Sequence, residues 1–498
     1  MGKKYIMAID QGTTGTRVIL FNHKGEVFKS SYIEIKQYFP QPAWVEHDPM
    51  EYLSSVRKCV SDILSSPDVD ASEIAALGIT NQRETTIMWD RETGKPVYNA
   101  VVWQCRRSAS ICDELKAQGL EGLIREKTGL VLDAYFSGSK IKWLIDNISG
   151  LKEKIRKGNI CMGTVDSWLI WNFSGGKYHV TDYANASRTL LLNIKTLKWD
   201  DELLEIFGVD KRILPEVKPN SGIMAVTDKD SFMGMEIPIA GAAGDQQAAL
   251  FGQGCFRTGM TKNTYGTALA IMMNIGEKPI PSNNGLTTDL AWVINGKPTY
   301  SFEGTIFIGG AAIQWLRDGL KIIKDARECD ILSEKVPDTG NVYLVPAFTG
   351  LCAPYWDMYA RGLLIGITRG TTREHICRAT EESIGYQTKD VLNAMLADVP
   401  AGMACLRVDG GAAKSEFLMQ FQSDILGVSV EKPKNTEMAA LGAAYLAGLG
   451  VGFWENMNEL DKYWILDKKY DPLMQEDKRE RLYAGWKEAV KRSFNWAK

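Results

Sequence analysis

The chain has 498 residues, 45% of them hydrophobic and 24% charged. That is the composition of a soluble globular protein with more than one domain. Its formal net charge of −3 gives no overall pull toward nucleic acid or an anionic membrane. Nine cysteines form no CxxC pair, and four histidines without metal-ligand spacing argue against a His-based zinc site. With no signal peptide read at the start, they predict free thiols and a cytoplasmic location.

The first stretch, YIMAIDQGTTGTRVILFN, carries the strongest local signal. Tyr5 to Ile9 reads as a buried strand, and Val18 to Phe21 leads the chain back. Between them Asp10 sits at the strand end, where a phosphate-bound Mg²⁺ could be held through water. Gly12 and Gly15 allow close approach of a ligand to the main chain. Thr13, Thr14 and Thr16 add hydroxyls, and Arg17 adds a planar cation suited to phosphate. The stretch equally fits an ordinary hairpin whose glycines serve only the turn. It is not a Walker loop, because no Gly-Lys-Ser/Thr follows at the required spacing.

Asp48-Pro49 reads as an N-cap with proline in the first helical turn, and Leu53, Val56, Val60 and Leu64 keep helical spacing behind it. Ile74–Trp89 then runs strand, polar patch, strand, with Arg83 and Glu84 adjacent in the patch. Two charges between buried strands are costly unless paired or facing a polar ligand; a solvated hairpin tip is the alternative. Trp103 and Tyr135 lie in aromatic-plus-polar patches that suit a small polyol, or a helix start over core aromatics. Pro238–Gly252 reads as strand, glycine-rich turn, then Asp245 opening an alanine-rich helix. Asp245 there is either a helix cap or a carboxylate base at a pocket mouth.

Met260–Asn274, MTKNTYGTALAIMMN, repeats the shape of the opening stretch. One copy opens each half, which predicts a duplicated α/β domain, a boundary near 252–260 and a cleft between the halves. Gly309-Gly310 starts a helix, and Leu406–Asp409 reads as a strand ending in a second glycine pair, Gly410-Gly411. Such turns let a base or ribose lie on the main chain, and also occur without ligands. Met438–Trp454 is uncharged but broken by glycines, so it predicts a buried Gly/Ala helix and no stable membrane insertion. Leu482, Trp486, Val490 and Phe494 predict an amphipathic terminal helix.

Taken in order, AIDQGTTGTR, GITNQRET, YFSGSKIKW, AGAAGDQQAALFGQ, PAFTGLCAPYWD and LRVDGGAAKSEFLMQFQSDIL resemble the FGGY carbohydrate kinases over almost the full length. The resemblance implies two actin-like (ribonuclease-H-like) α/β domains, residues 1–252 and 253–498, with the active site in the interdomain cleft. Within the family it implies ATP-dependent phosphorylation of glycerol to sn-glycerol 3-phosphate, with Mg²⁺ and a homo-oligomer, dimer or tetramer. By position, Arg83, Glu84, Trp103, Tyr135, Asp245 and Gln246 match the polyol site, with Asp245 as the catalytic base. Thr13, Thr14, Gly15 and Arg17 match the phosphate loop. Thr267, Gly310, Gln314, Gly411 and Ser415 match nucleotide contacts, and Asp10 and Asp245 match the carboxylates near the metal. One departure bears on substrate: Ala270 stands where an aromatic usually packs on the carbon edge of glycerol. It keeps open a family kinase for another small polyol or a ketose.

Overall fold

The computed structural model describes residues 2–399 and 402–497. The opening stretch forms β1 (Tyr5–Gln11) and β2 (Gly15–Phe21), an antiparallel hairpin that sets Asp10 opposite Arg17. Next come β3 (Val27–Glu34), helix α1 (Pro49–Leu64) and β4 (Ile74–Asn81). Asp48 caps α1 by accepting a hydrogen bond from the Met50 amide. After a stretch of short helices and strands, β5 (Ser221–Val226), β6 (Pro238–Gly244) and α2 (Asp245–Gly252) complete the first half. Its sheet runs β5-β6-β4-β1-β2-β3, with β1, β4 and β6 parallel and the other pairings antiparallel.

The second half repeats this plan. A hairpin of β7 (Thr261–Tyr265) and β8 (Leu269–Gly276) is followed by β9 (Thr287–Ile294) and β10 (Lys297–Ile306). Helix α3 (Arg373–Asp398) leads to β11 (Cys405–Asp409), α4 (Glu416–Leu426) and β12 (Ser429–Pro433). Helix α5 (Met438–Gly450), β13 (Leu466–Tyr470) and α6 (Glu476–Ser493) close the described chain. The sheet order is β9-β10-β8-β7-β11-β12-β13. In both sheets a hairpin lies beside a parallel third strand, a parallel fourth and an antiparallel edge. The sequence echo is therefore a topological repeat.

Period-two alternation gives the first sheet two buried faces. Met7, Ile9, Val18 and Leu20 pack with Tyr52, Leu53 and Val56 of α1. Ile6, Ala8, Ile19 and Phe21 pack with Ala440, Leu441 and Ala444 of α5. Helix α5 thus belongs to the second half in sequence but covers the first sheet. A Cβ on Gly442 would sit 1.8 Å from the Ala248 carbonyl oxygen, so only glycine lets α5 pack this closely on α2. The helix is buried in protein, and no described helix is long and apolar enough to cross a membrane. Trp486 and Val490 of α6 are buried in a cluster with Tyr386 and Phe421. All nine cysteines are free.

Candidate active site

The polar patch after β4 is a buried charge network, not a solvated turn. Arg83 and Glu84 are 4% and 1% exposed. Their mutual contact is loose, Nε to Oε1 at 3.8 Å, because each has a closer partner from elsewhere. Arg83 donates to both oxygens of Glu303 on β10, at 2.6 and 2.9 Å, and to Gln247 Oε1 at 3.2 Å. Glu84 Oε1 accepts from Arg188 Nε at 2.6 Å. Arg188 also meets Asp289 on β9 at 2.5 Å and Glu303 at 2.7 Å. Burial opposes ionisation of Glu303, yet the Arg188 and Arg83 guanidiniums outweigh it and hold its carboxyl at about 2. Burial pushes Asp289 up to about 7 against the pull of Arg188.

Glu84 has φ 59°, a left-handed conformation uncommon for a residue with a Cβ. Its carbonyl accepts from Ser137 Oγ at 3.1 Å and Thr86 Oγ1 at 3.2 Å. Two hydroxyls and one guanidinium therefore over-determine a strained residue, as functional sites often require.

Asp245 is the first residue of α2, and its side chain, about a third exposed, lies 3.2 Å from Arg83 Nε. A Cβ on the preceding Gly244 would collide with the Arg83 stem at 2.5 Å, so the glycine makes room for the guanidinium. Gln246 donates its backbone N–H to Asp245 Oδ1 at 2.8 Å and its side-chain amide to Oδ2 at 3.3 Å. Gln246 in turn accepts from the buried ammonium of Lys262 on β7, which also donates to Thr264 Oγ1 and the Ala270 carbonyl. Burial lowers Lys262 to about 8 despite the nearby carboxylates of Asp409, Asp245 and Glu303.

The aromatic side of the site is equally ordered. Trp103 donates its indole N–H to Thr13 Oγ1 at 2.9 Å and meets Tyr135 edge-to-face, with ring centroids 5.6 Å apart. The Arg188 guanidinium lies 5.8 Å from the Tyr135 ring centroid. Thr13 also reaches Gln82 at 3.4 Å, tying the first hairpin to the polar patch. The sequence-selected Arg83, Glu84, Trp103, Tyr135, Asp245 and Gln246 thus converge with Thr13 in one place. Sequence reasoning missed Arg188, Asp289, Glu303, Gln247 and Lys262. The signal that singled out Arg83, a charge inside an apolar run, also marks Arg188 in NASRTLLL and Glu303 in YSFEGTIF.

Asp10 lies at the end of β1, where burial, Asp245 and Glu437 push its carboxyl up to about 7. A divalent cation there would offset the repulsion of Asp10 by Asp245 and Glu437. Among the described residues no three His, Cys, Asp or Glu side chains are grouped to hold a metal by themselves. This donor set fits a Mg²⁺ held largely by phosphate oxygens and water, with Asp10 and Asp245 beside it. Arg17 instead forms an ion pair with Glu437, just before α5.

The second-half residues form a shelf around the second hairpin. The Gly309 and Ala311 amides donate to the Thr267 carbonyl at 2.9 and 3.2 Å, bringing Thr267 and Gly310 together. Thr267, Gln314 and Gly411 are exposed, and a Cβ on Gly411 would meet nothing within 4 Å. Ser415 is different: it is buried and caps α4, accepting from the Leu418 amide at 3.0 Å.

This topological repeat, with charged groups gathered where its halves meet, is matched by known families. The N-terminal domain model of the FGGY family of carbohydrate kinases matches residues 5–252, and the C-terminal domain model matches residues 261–451. The chain belongs to the FGGY family of carbohydrate kinases, and its fold is the two-domain actin-like α/β fold of that family. It is 59% identical to a glycerol kinase of Alkaliphilus oremlandii over 494 residues, 99% of this chain and 98% of that one. It is also 59% identical to glycerol kinase 2 of Thermotoga maritima over 495 residues, 99% of this chain and 100% of that one. The Plasmodium falciparum glycerol kinase, solved with ADP, superposes with a TM-score of 0.92 at 37% identity, over 99% of each chain.

Proposed function

We propose that this protein transfers the γ-phosphoryl group of ATP to a terminal hydroxyl of glycerol, giving sn-glycerol 3-phosphate and ADP. The observation that carries the reading is the placement of Arg83, Glu84 and Asp245 beside the Trp103–Tyr135 pair. A polyol needs alternating donors and acceptors for its hydroxyls and an apolar face for its C–H edge, and this set supplies both. The names of the 59%-identical relatives support glycerol as the polyol.

In the reaction, the hydroxyl oxygen forms a bond to the γ-phosphorus and the bond to the β-bridging oxygen breaks, leaving with ADP. The hydroxyl proton passes to the Asp245 carboxylate. Arg83 and the Gln246 amides hold that carboxylate toward the pocket. Thr13, Thr14 and the Gly15 backbone would receive the phosphates, joined by Arg17 once it exchanges Glu437 for phosphate. Mg²⁺, when bound beside Asp10 and Asp245, would neutralise charge on the β- and γ-phosphates. Thr267, Gly310, Gln314 and Gly411 would carry the nucleoside. Ser415 would contribute the O–H donor of a hydroxyl that already accepts one hydrogen bond at the α4 cap. Most of the acceleration comes from positioning and charge neutralisation rather than covalent help.

The test is ADP release and phosphorylated product measured with glycerol, erythritol, dihydroxyacetone, xylulose and ribulose. Glycerol should have the highest kcat/KM. A four- or five-carbon acceptor leading would assign the activity to a different polyol or ketose, with Ala270 as the residue that made room.

A further inference from the structure

Glu303 is the second-half residue most deeply engaged with the polyol-binding pair, and nothing in the proposed chemistry uses it. It lies on β10, buried, paired in the ladder with Met272 and Thr287. Oε1 accepts from Arg83 at 2.6 Å. Oε2 accepts from Arg83 at 2.9 Å and pairs with Arg188 at 2.7 Å. Asp289 meets the same Arg188 nitrogen, Nη1, at 2.5 Å and accepts from Ser301 Oγ at 2.6 Å. One carboxylate from the second half thus grips both guanidiniums that orient Arg83 and Glu84 in the first.

Stability is a weak reason for such a cluster. Taking several charges out of water costs about as much as their pairing returns, and apolar packing of similar volume often serves as well. The cluster does, however, decide which polar groups stay free. Arg83 has five N–H groups. Both on Nη1 are engaged, by Glu303 and Gln247, and one on Nη2 is engaged by Glu303. The Nε–H faces Asp245 at 3.2 Å, so the second Nη2 hydrogen is the donor left for the pocket. On Glu84, Arg188 takes Oε1, while Oε2 accepts no hydrogen bond among the described residues. The grip therefore leaves a donor and an acceptor for a ligand.

We propose that Glu303 is a positioning residue for the polyol site, acting through Arg83 and Arg188 without touching substrate. On this account the polyol pocket has its binding geometry only where the two halves meet at this cluster. The nucleotide shelf does not depend on it. This inference rests on the polyol-kinase reading of the same site.

The test compares wild type with Glu303→Gln, Glu303→Asp and Arg188→Lys, measuring kcat, KM for glycerol, KM for ATP and thermal unfolding. Glu303→Gln loses one acceptor and turns an amide toward two cations. It should raise the glycerol KM by about tenfold or more while the ATP KM stays within about twofold. Glu303→Asp keeps the charge one methylene short and should recover part of the loss. Arg188→Lys cannot keep the Glu84, Asp289 and Glu303 contacts together, so it should show the same split should Glu303→Gln fail to fold. An unmoved glycerol KM in a folded Glu303→Gln overturns the proposal. So does a parallel rise of both KM values in step with lost stability, which would mark a merely structural role. Wild-type turnover separates the two readings. Absence of glycerol-dependent ADP release removes the functional reading and this one with it, whereas active wild type with an unmoved variant removes this one alone.

Discussion

The side of the site proposed for the polyol and the side proposed for the nucleotide are built in opposite ways. Arg83, Glu84, Arg188, Asp289 and Glu303 are all buried and locked by short ion pairs, three of the four crossing between the halves. Thr267, Gln314 and Gly411 are exposed on a backbone-bonded shelf. A small polyol offers few contacts, so its specificity needs donors and acceptors fixed beforehand. A nucleotide brings a large surface of its own and can bind a shelf that is open until it arrives. The difference predicts that substitutions on the first side act on glycerol and folding together, while those on the second act on ATP alone.

The largest break should come from Arg83→Ala. It strips a guanidinium from buried Glu303 and a donor from the pocket. Global stability by denaturant unfolding should fall by about 3 kcal/mol, the scale for orphaning one partner of a buried pair. Saturable glycerol kinetics should disappear at the same time. Retained stability with lost glycerol binding would show that the cluster serves the ligand only.

Asp10→Asn sharpens the comparison through pH. Its folded-state value of about 7 lies above the ordinary 3.8, chiefly through burial and then through Asp245 and Glu437. A carboxyl raised in the folded state binds its proton more tightly there, so rising pH between those values costs stability. The ligand-free Asn variant should therefore be more stable than wild type above pH 7, by about 4 kcal/mol. The gain should vanish as pH falls toward 4. Thermal scans at pH 5 and pH 8 with chelator present check this, and the variant should also be nearly inactive.

Smaller effects belong to the nucleotide side. Glu437→Gln frees Arg17 from its ion pair and should lower the ATP KM by about threefold, leaving the glycerol KM alone. Gln314→Ala should raise the ATP KM by a few-fold and leave unfolding within about 0.5 kcal/mol of wild type, as expected for an exposed side chain. A change in glycerol KM from either variant would blur the division between the two sides.

Legibility in the sequence followed the same division. Local signals sufficed for the two hairpins, the Asp48 cap, the buried Gly/Ala helix and the charged patch, because each depends on residues close in the chain. The partners of that patch were invisible for the opposite reason. Glu303 lies 220 residues from Arg83, and only the register of β10 against β8 and β9 delivers it. Helix α5 read correctly as buried, but periodicity cannot say which sheet it covers, and it covers that of the other half. Ser415, which the family resemblance matches to a nucleotide contact, stands before α4 and caps it.

The proposed reaction depends most directly on Asp245 as the group that takes the hydroxyl proton. Asp245→Asn keeps the shape of the side chain beside Arg83 and removes its basicity. Single-turnover phosphorylation of glycerol should slow by about 10²- to 10⁴-fold, while ATP affinity measured by calorimetry stays within about threefold. Turnover within about tenfold of wild type, with the variant folded and ATP bound, would contradict the assignment of Asp245 as the base.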